Sequence, residues 1–203
     1  MHTIQHTNPD GTVVTVYVGD YVYVWDGVTI GNGVTIGNGV TIGARAVIGE
    51  RAVIGTDAQI GAWAHISGRA VIGDYATVCE GATIGEYAVI GEQTFIGTDA
   101  HIGTDAHIGT DAHIGTDAQI GAWAHIGARA VIISWAHIGA RAVIGARAVI
   151  GARAVIGARA VLSARAVIGE RAVIGTDAHI GPAFVDMQRD TPDLHGKCLN
   201  PLA

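Results

Sequence analysis

The chain has 203 residues, a formal charge of −6 and a mean hydropathy of +0.37, with 30 glycines but only 4 prolines and 2 phenylalanines. That is too apolar for a disordered segment and too poor in large side chains for an ordinary globular mixture. The acidic balance argues against a general nucleic-acid binder, and no run reaches the length of a membrane span. Met1-His2-Thr3-Ile4-Gln5 has neither the charged nor the apolar region of a signal peptide, so a cytoplasmic location is the default expectation, with a virion or other assembled particle as the alternative. Cys79 and Cys198 are too few for a disulfide framework or a cysteine zinc site.

In chain order, residues 1–15 start polar, turn at Asn8-Pro9-Asp10-Gly11 and lead into an alternating run from Thr12 to Trp25. They are read as an N-terminal cap segment. Tyr17 and Tyr23 are expected to point outward, and Tyr21 and Trp25 to sit at corners.

From Val24 an aliphatic residue then recurs every six positions, through Ile30, Ile36 and Ile42 to Ile174 and Ile180, with Val78 and Leu162 the only later changes. No insertion or deletion breaks the phase, which extends back to Val18. Two places before each aliphatic sits a smaller residue: Val28, Val34 and Val40, then alanine from Ala46 to Ala178, with Thr94 as the exception. The next position is nearly always glycine. A small and a large residue two apart face the same side of a strand, and the residue between them faces away. The following Gly-x-x supplies a corner. Helical spacing of three and four is absent.

These small-x-Ile-Gly-x-x units resemble those of the hexapeptide-repeat superfamily over residues 16 to 181. The resemblance implies an all-β chain: a single left-handed parallel β-helix, a β-solenoid in which three hexads close one 18-residue coil. About nine coils without inserted loops then give a prism of about 43 Å. Residues 182–203, with Pro182, Pro192 and Pro201, leave the repeat and are read as an irregular C-terminal tail, either a cap or an arm that docks on another subunit.

The resemblance also implies activities, namely those of hexapeptide acyltransferases and γ-class carbonic anhydrases, as trimers with a site formed between subunits. The motifs do not carry over. Metal-binding histidines of the carbonic anhydrases lie five apart, whereas His65, His101, His107, His113, His125, His137 and His179 here keep the period of six. The acyltransferases' catalytic histidine lies just past the aliphatic position, where this chain has Thr104 and Ala128. His107 and His125, expected to be neighbours on one face, are the candidate metal pair. The plainer reading is a solvated ladder left by copying Thr-Asp-Ala-His-Ile-Gly, so no catalytic, cofactor-binding or metal residue and no cofactor is assigned.

Ice binding would need a threonine ladder on one face, but Thr29, Thr35 and Thr41 face three directions. Gly55 to Ile66 and Gly115 to Ile126 are the same twelve residues, displaced by 60, so the duplicating unit is the hexad irrespective of face. Two features favour self-association. Outward valines Val143, Val149, Val155, Val161, Val167 and Val173 place apolar β surface on all three sides. Charge is also segregated: Asp74 to Asp117 is acidic, while Arg129 to Arg171 holds seven arginines against Glu170. The expectation is a structural solenoid with itself as partner, building a fibre, sheet, shell or coat. The alternative is a hexapeptide-type acyltransferase or carbonic anhydrase-like enzyme.

Overall fold

A computed structural model describes residues 1–181 and the backbone of the strand Phe184–Val185. Except for that strand, the segment 182–203, read as a cap or docking arm, lies outside the described residues. From Thr41 onward each hexad forms a strand of two residues, such as His107–Ile108, and then turns. Successive strands take three faces in rotation. The first face contains β1 (His2–Thr7), β2 (Val13–Val18) and the strands from Val34–Ile36 to His179–Ile180. The second runs from β3 (Tyr23–Val24) to Phe184–Val185, and the third from β4 (Thr29–Ile30) to Val173–Ile174. Within the repeat every pairing is parallel and in register at 18 residues, as in Ile84 with Ile102 and Ile102 with Ile120.

The period of six decides what is buried. Isoleucine and alanine alternate with outward residues, so Ile102 and Ala100 are buried while His101 is exposed. The core is therefore three columns of isoleucine and three of alanine, each isoleucine contributing roughly 1.5–3 kcal/mol by burial. Thr94 stands in an alanine column. Its hydroxyl donates to the Gly109 carbonyl at 3.0 Å, so the buried polar atom is satisfied.

Corners need a left-handed residue. Gly81 supplies one at φ +67°, but Arg147, Trp123, Tyr87 and Asp105 adopt the same conformation at φ +54° to +63°. None of the non-glycine residues in this conformation is β-branched, as expected where a branched Cβ would clash most. The glycine after each isoleucine has a different reason. A Cβ on Gly109 would lie 2.5 Å from the Ala128 nitrogen of the next coil. Ser67, Cys79, Ile133 and Ser163 nonetheless occupy that place, so a coil can adjust locally to admit a side chain.

At the N-terminal end, β1 pairs antiparallel with β2 and covers the open edge of the first face. The connecting turn is held by Asp10, which accepts from the Thr12 amide at 2.9 Å and from its hydroxyl at 2.7 Å. Those bonds hold the Asp10 carboxyl below its ordinary value. Asn8 is buried, and its side chain takes the place of a missing strand beside β4, accepting from the Ile30 amide at 2.8 Å and donating to its carbonyl at 3.0 Å. The second face gets no such cover, and Val24, although in the core series, is 41% exposed. Tyr17 and Tyr23 point outward, and Tyr21 takes a left-handed corner.

Two outcomes follow from this packing. Ile102→Ala should lower stability by about 2–5 kcal/mol in denaturant unfolding, whereas His101→Ala one place away should stay within about 0.5 kcal/mol. Asn8→Ala should cost about 1–3 kcal/mol and speed hydrogen exchange at the Ile30 amide, while amides of the central coils keep their protection.

Candidate functional surfaces

The histidines are placed by strand parity, and all stand outward at mid-strand. His65, His101 and His137 belong to the third face, His113 to the second, and His107, His125 and His179 to the first. Most have no histidine beside them. His113 stacks on Phe95 with ring centroids 4.7 Å apart, and His101 lies between Thr83 and Gln119. Among the described residues only His107 and His125 are adjacent, stacked at 5.0 Å and 8° between planes. Neither ring is bonded to a carboxylate among the described residues, so nothing fixes a tautomer there. No group of three or more potential metal ligands occurs among those residues, and two imidazoles are half of a tetrahedral zinc shell.

The valines fall two to a face: Val143 and Val161 on the first, Val149 and Val167 on the second, Val155 and Val173 on the third. Val143, Val155 and Val173 are exposed, and the other three are half-buried. Among the described residues there is no deep cleft. One concavity is an open groove lined by Ala128, Ala146 and Ala164 with Arg129, Arg147 and Arg165. A second groove is formed by Tyr23, Val24 and Trp25 at the uncovered edge of the second face.

Charge follows the corners, which stack into three ridges. On the ridge between the first and second faces, backbone bonds link the coils in order, with the Arg165 amide to the Ala146 carbonyl, Arg147 to Ala128, Arg129 to Thr110 and Asp111 to Glu92. This ridge is acidic at Asp57, Asp74, Glu92 and Asp111, then basic at Arg129, Arg147 and Arg165. Of these seven charges, only the two at the junction pair among the described residues, Arg129 with Asp111 at 3.4 Å. The ridge between the third and first faces is neutralised more fully, by Arg69 with Glu86 at 3.6 Å and Arg159 with Asp177 at 2.7 Å. Arg45 lies over Trp63 and Arg69 over Tyr87, so corner aromatics are used as cation partners. The sequence shows the charge blocks; sorting them onto one ridge requires counting by 18 and not by six.

A family model described as the GMPPB C-terminal domain matches residues 10–94 and again residues 90–189. The chain belongs to that family. Its fold is the left-handed parallel β-helix, shared with solved hexapeptide acyltransferases. UDP-N-acetylglucosamine acyltransferase from Campylobacter jejuni aligns at 22% identity and a TM-score of 0.58, over 77% of this chain and 66% of that one. UDP-N-acetylglucosamine O-acyltransferase from Moraxella catarrhalis aligns at 18% and 0.55, over 78% and 65%. This family member thus spans just under two thirds of those enzymes. The acetyltransferase domain of PglB from Neisseria gonorrhoeae, solved with acetyl coenzyme A, aligns at 23% and 0.50, over 52% of this chain and 51% of that domain. No curated protein sequence matches the chain. No helix of the described residues is long and apolar enough to cross a membrane.

Cys79, in a corner glycine position, has its thiol pushed above the ordinary value by burial. With Cys198→Ser in the background, Cys79 should alkylate several-fold more slowly than a free thiol at pH 8, and the gap should narrow as pH rises.

Proposed function

We propose that the chain works as a homo-oligomer whose copies meet along the flat faces of the prism. The observation that carries this reading is the first face. From Val53 to Val161 its outward residues are Val53, Val71, Val89, His107, His125, Val143 and Val161, an uninterrupted and mostly apolar strip. Strips of that kind on a soluble protein mark contacts. With grooves this shallow, a substrate would be enclosed only where a second copy supplies the other wall.

Two activities suit such an oligomer, and the comparisons favour acyl transfer over a passive fibre, sheet, shell or coat. The aligned enzymes are acyltransferases, and one of them is a complex with acetyl coenzyme A. In this reading His107 or His125 serves as the base at a subunit boundary, oriented by the partner and not by its own chain. The coat reading draws on the loop-free prism and the valines on all three faces.

Light scattering after size exclusion over a concentration series, with electron microscopy of the same fractions and an acetyl coenzyme A binding assay, separates the two. A discrete oligomer that binds acetyl coenzyme A, and loses transfer with His107→Ala or His125→Ala, supports the enzyme. Filaments or shells without such binding support the coat. A monomer at every concentration refutes self-association. Val143→Lys with Val161→Lys should raise the dissociation constant at least about tenfold, because two charges would be buried opposite apolar surface, and should leave the far-ultraviolet circular dichroism of the dissociated chain unchanged.

A further inference from the structure

The first face has a symmetry that the other two lack. Over three coils to either side of the midpoint between His107 and His125 its outward residues read the same in both directions: a histidine on either side, then Val89 and Val143, then Val71 and Val161, the match ending at Val53 against His179. The second face reads Gln59, Thr77, Phe95, His113, Val131, Val149, Val167, and the third Val47, His65, Thr83, His101, Gln119, His137, Val155. The second has no such centre, and the third approaches one about His101, where His65 matches His137 and Val47 matches Val155, but is broken at Thr83 against Gln119.

The bordering ridge has the matching antisymmetry about the same height. Asp111 and Arg129 flank the midpoint, then Glu92 and Arg147, then Asp74 and Arg165, so each acid mirrors a base. Beyond the junction, this pattern cannot be satisfied within one chain. Arg147 and Arg165 have other arginines as their nearest charged neighbours along the ridge, about 4.8 Å away per coil, and make no ion pair among the described residues. Glu92 likewise has no ion pair, and Asp74 only accepts from the Thr56 amide at 2.7 Å. Segregated charges repel at that spacing and are relieved by an opposite charge from outside.

We propose that two copies pair face to face through the first face, antiparallel, about a twofold axis that lies along the strands between the coils of His107 and His125. This rests on the self-association reading above and specifies its face, orientation and register. Such an axis reverses the rod and preserves the strand direction, so the same ridge of both copies meets at one edge of the contact. Arg129, Arg147 and Arg165 then oppose Asp111, Glu92 and Asp74 of the second copy, and the relation holds again in reverse. The contact strip from Val71 to Val161 is about 24 Å long, with valine meeting valine at its outer levels and four imidazoles converging at the axis. The opposite edge is less complementary: Arg141 meets Glu86 of the second copy, a carboxylate it shares with Arg69, and Arg69 comes near Arg159, a like-charge approach softened by the in-chain pairs with Glu86 and Asp177. Charge sets the register and orientation while the valines supply the burial, the usual division at interfaces.

Two charge-altered chains test the pairing. An acid-enriched variant, which keeps Arg129, carries Arg147→Glu and Arg165→Glu, and a base-enriched variant, which keeps Asp111, carries Asp74→Arg and Glu92→Arg. Each should fold, as judged by far-ultraviolet circular dichroism, and each should self-associate at least about tenfold more weakly than the parent by sedimentation. Mixed one to one, they should form a heterodimer at least as tightly as the parent pairs with itself, and salt should weaken it. If the parent is an oligomer and both variants associate as it does, this face and register are wrong while self-association stands. If the parent is a monomer, both fail. A monomeric parent that instead binds inorganic polyphosphate through Arg147 and Arg165 would overturn the pairing in favour of a free polyanion.

Discussion

Everything in this molecule depends on closing a coil in 18 residues with no residue to spare. A coil that closes in that length puts every isoleucine on an isoleucine and every alanine on an alanine, and the backbone bonds between coils follow from that register. The cost falls at the corners, where residues such as Arg147 and Trp123 are held in a left-handed conformation that normally favours glycine. Each such residue costs on the order of 1 kcal/mol or more, and burial of the neighbouring isoleucine offsets it. The same closure leaves the corner glycine almost touching the next coil, so the coils can stack at strand spacing.

Uniform closure also explains the absence of a deep cleft among the described residues. Without inserted loops, every side chain that carries charge or a titratable group is pushed outward, onto a face or a ridge. A flat sheet face aligns like groups in columns but cannot wrap a ligand. The His107 and His125 pair is the closest approach to a site within one chain, and it lacks the carboxylate that would orient it. Chemistry on such a scaffold therefore depends on a second wall, and the features best suited to recruit one are the valine strip and the ridge whose charges are left unpaired. The ends are treated unequally. β1 and the Asn8 amide complete two of the three N-terminal edges, whereas β3 keeps Val24 partly exposed.

The hexad is a complete code for local structure, because strand parity and a period of six assign inside, outside and corner without reference to anything distant. The all-β class and the outward histidines were legible for that reason, and the coil length, with the adjacency of His107 to His125, followed from the resemblance to hexapeptide-repeat proteins. Phe95 upon His113, the cation contact of Arg45 with Trp63, and the ion pairs of Arg69 and Arg159 were not read, since they join residues 18 apart through side-chain rotamers that no local pattern specifies. Thr94 shows the boundary well. The sequence marks it as an exception, but only the neighbouring coil supplies the Gly109 carbonyl that makes it acceptable.

By itself the sequence determined the solenoid, its repeat length and which residues face water, because these depend on periodicity alone. The tertiary structure decided which of the stacked outward side chains pair. It joined Arg129 to Asp111, Arg69 to Glu86 and Arg159 to Asp177, and left Arg147 and Arg165 without an ion pair among the described residues, beside a symmetric apolar face. The physical reason is the return of the chain every 18 residues, which makes neighbours of side chains that are three hexads apart.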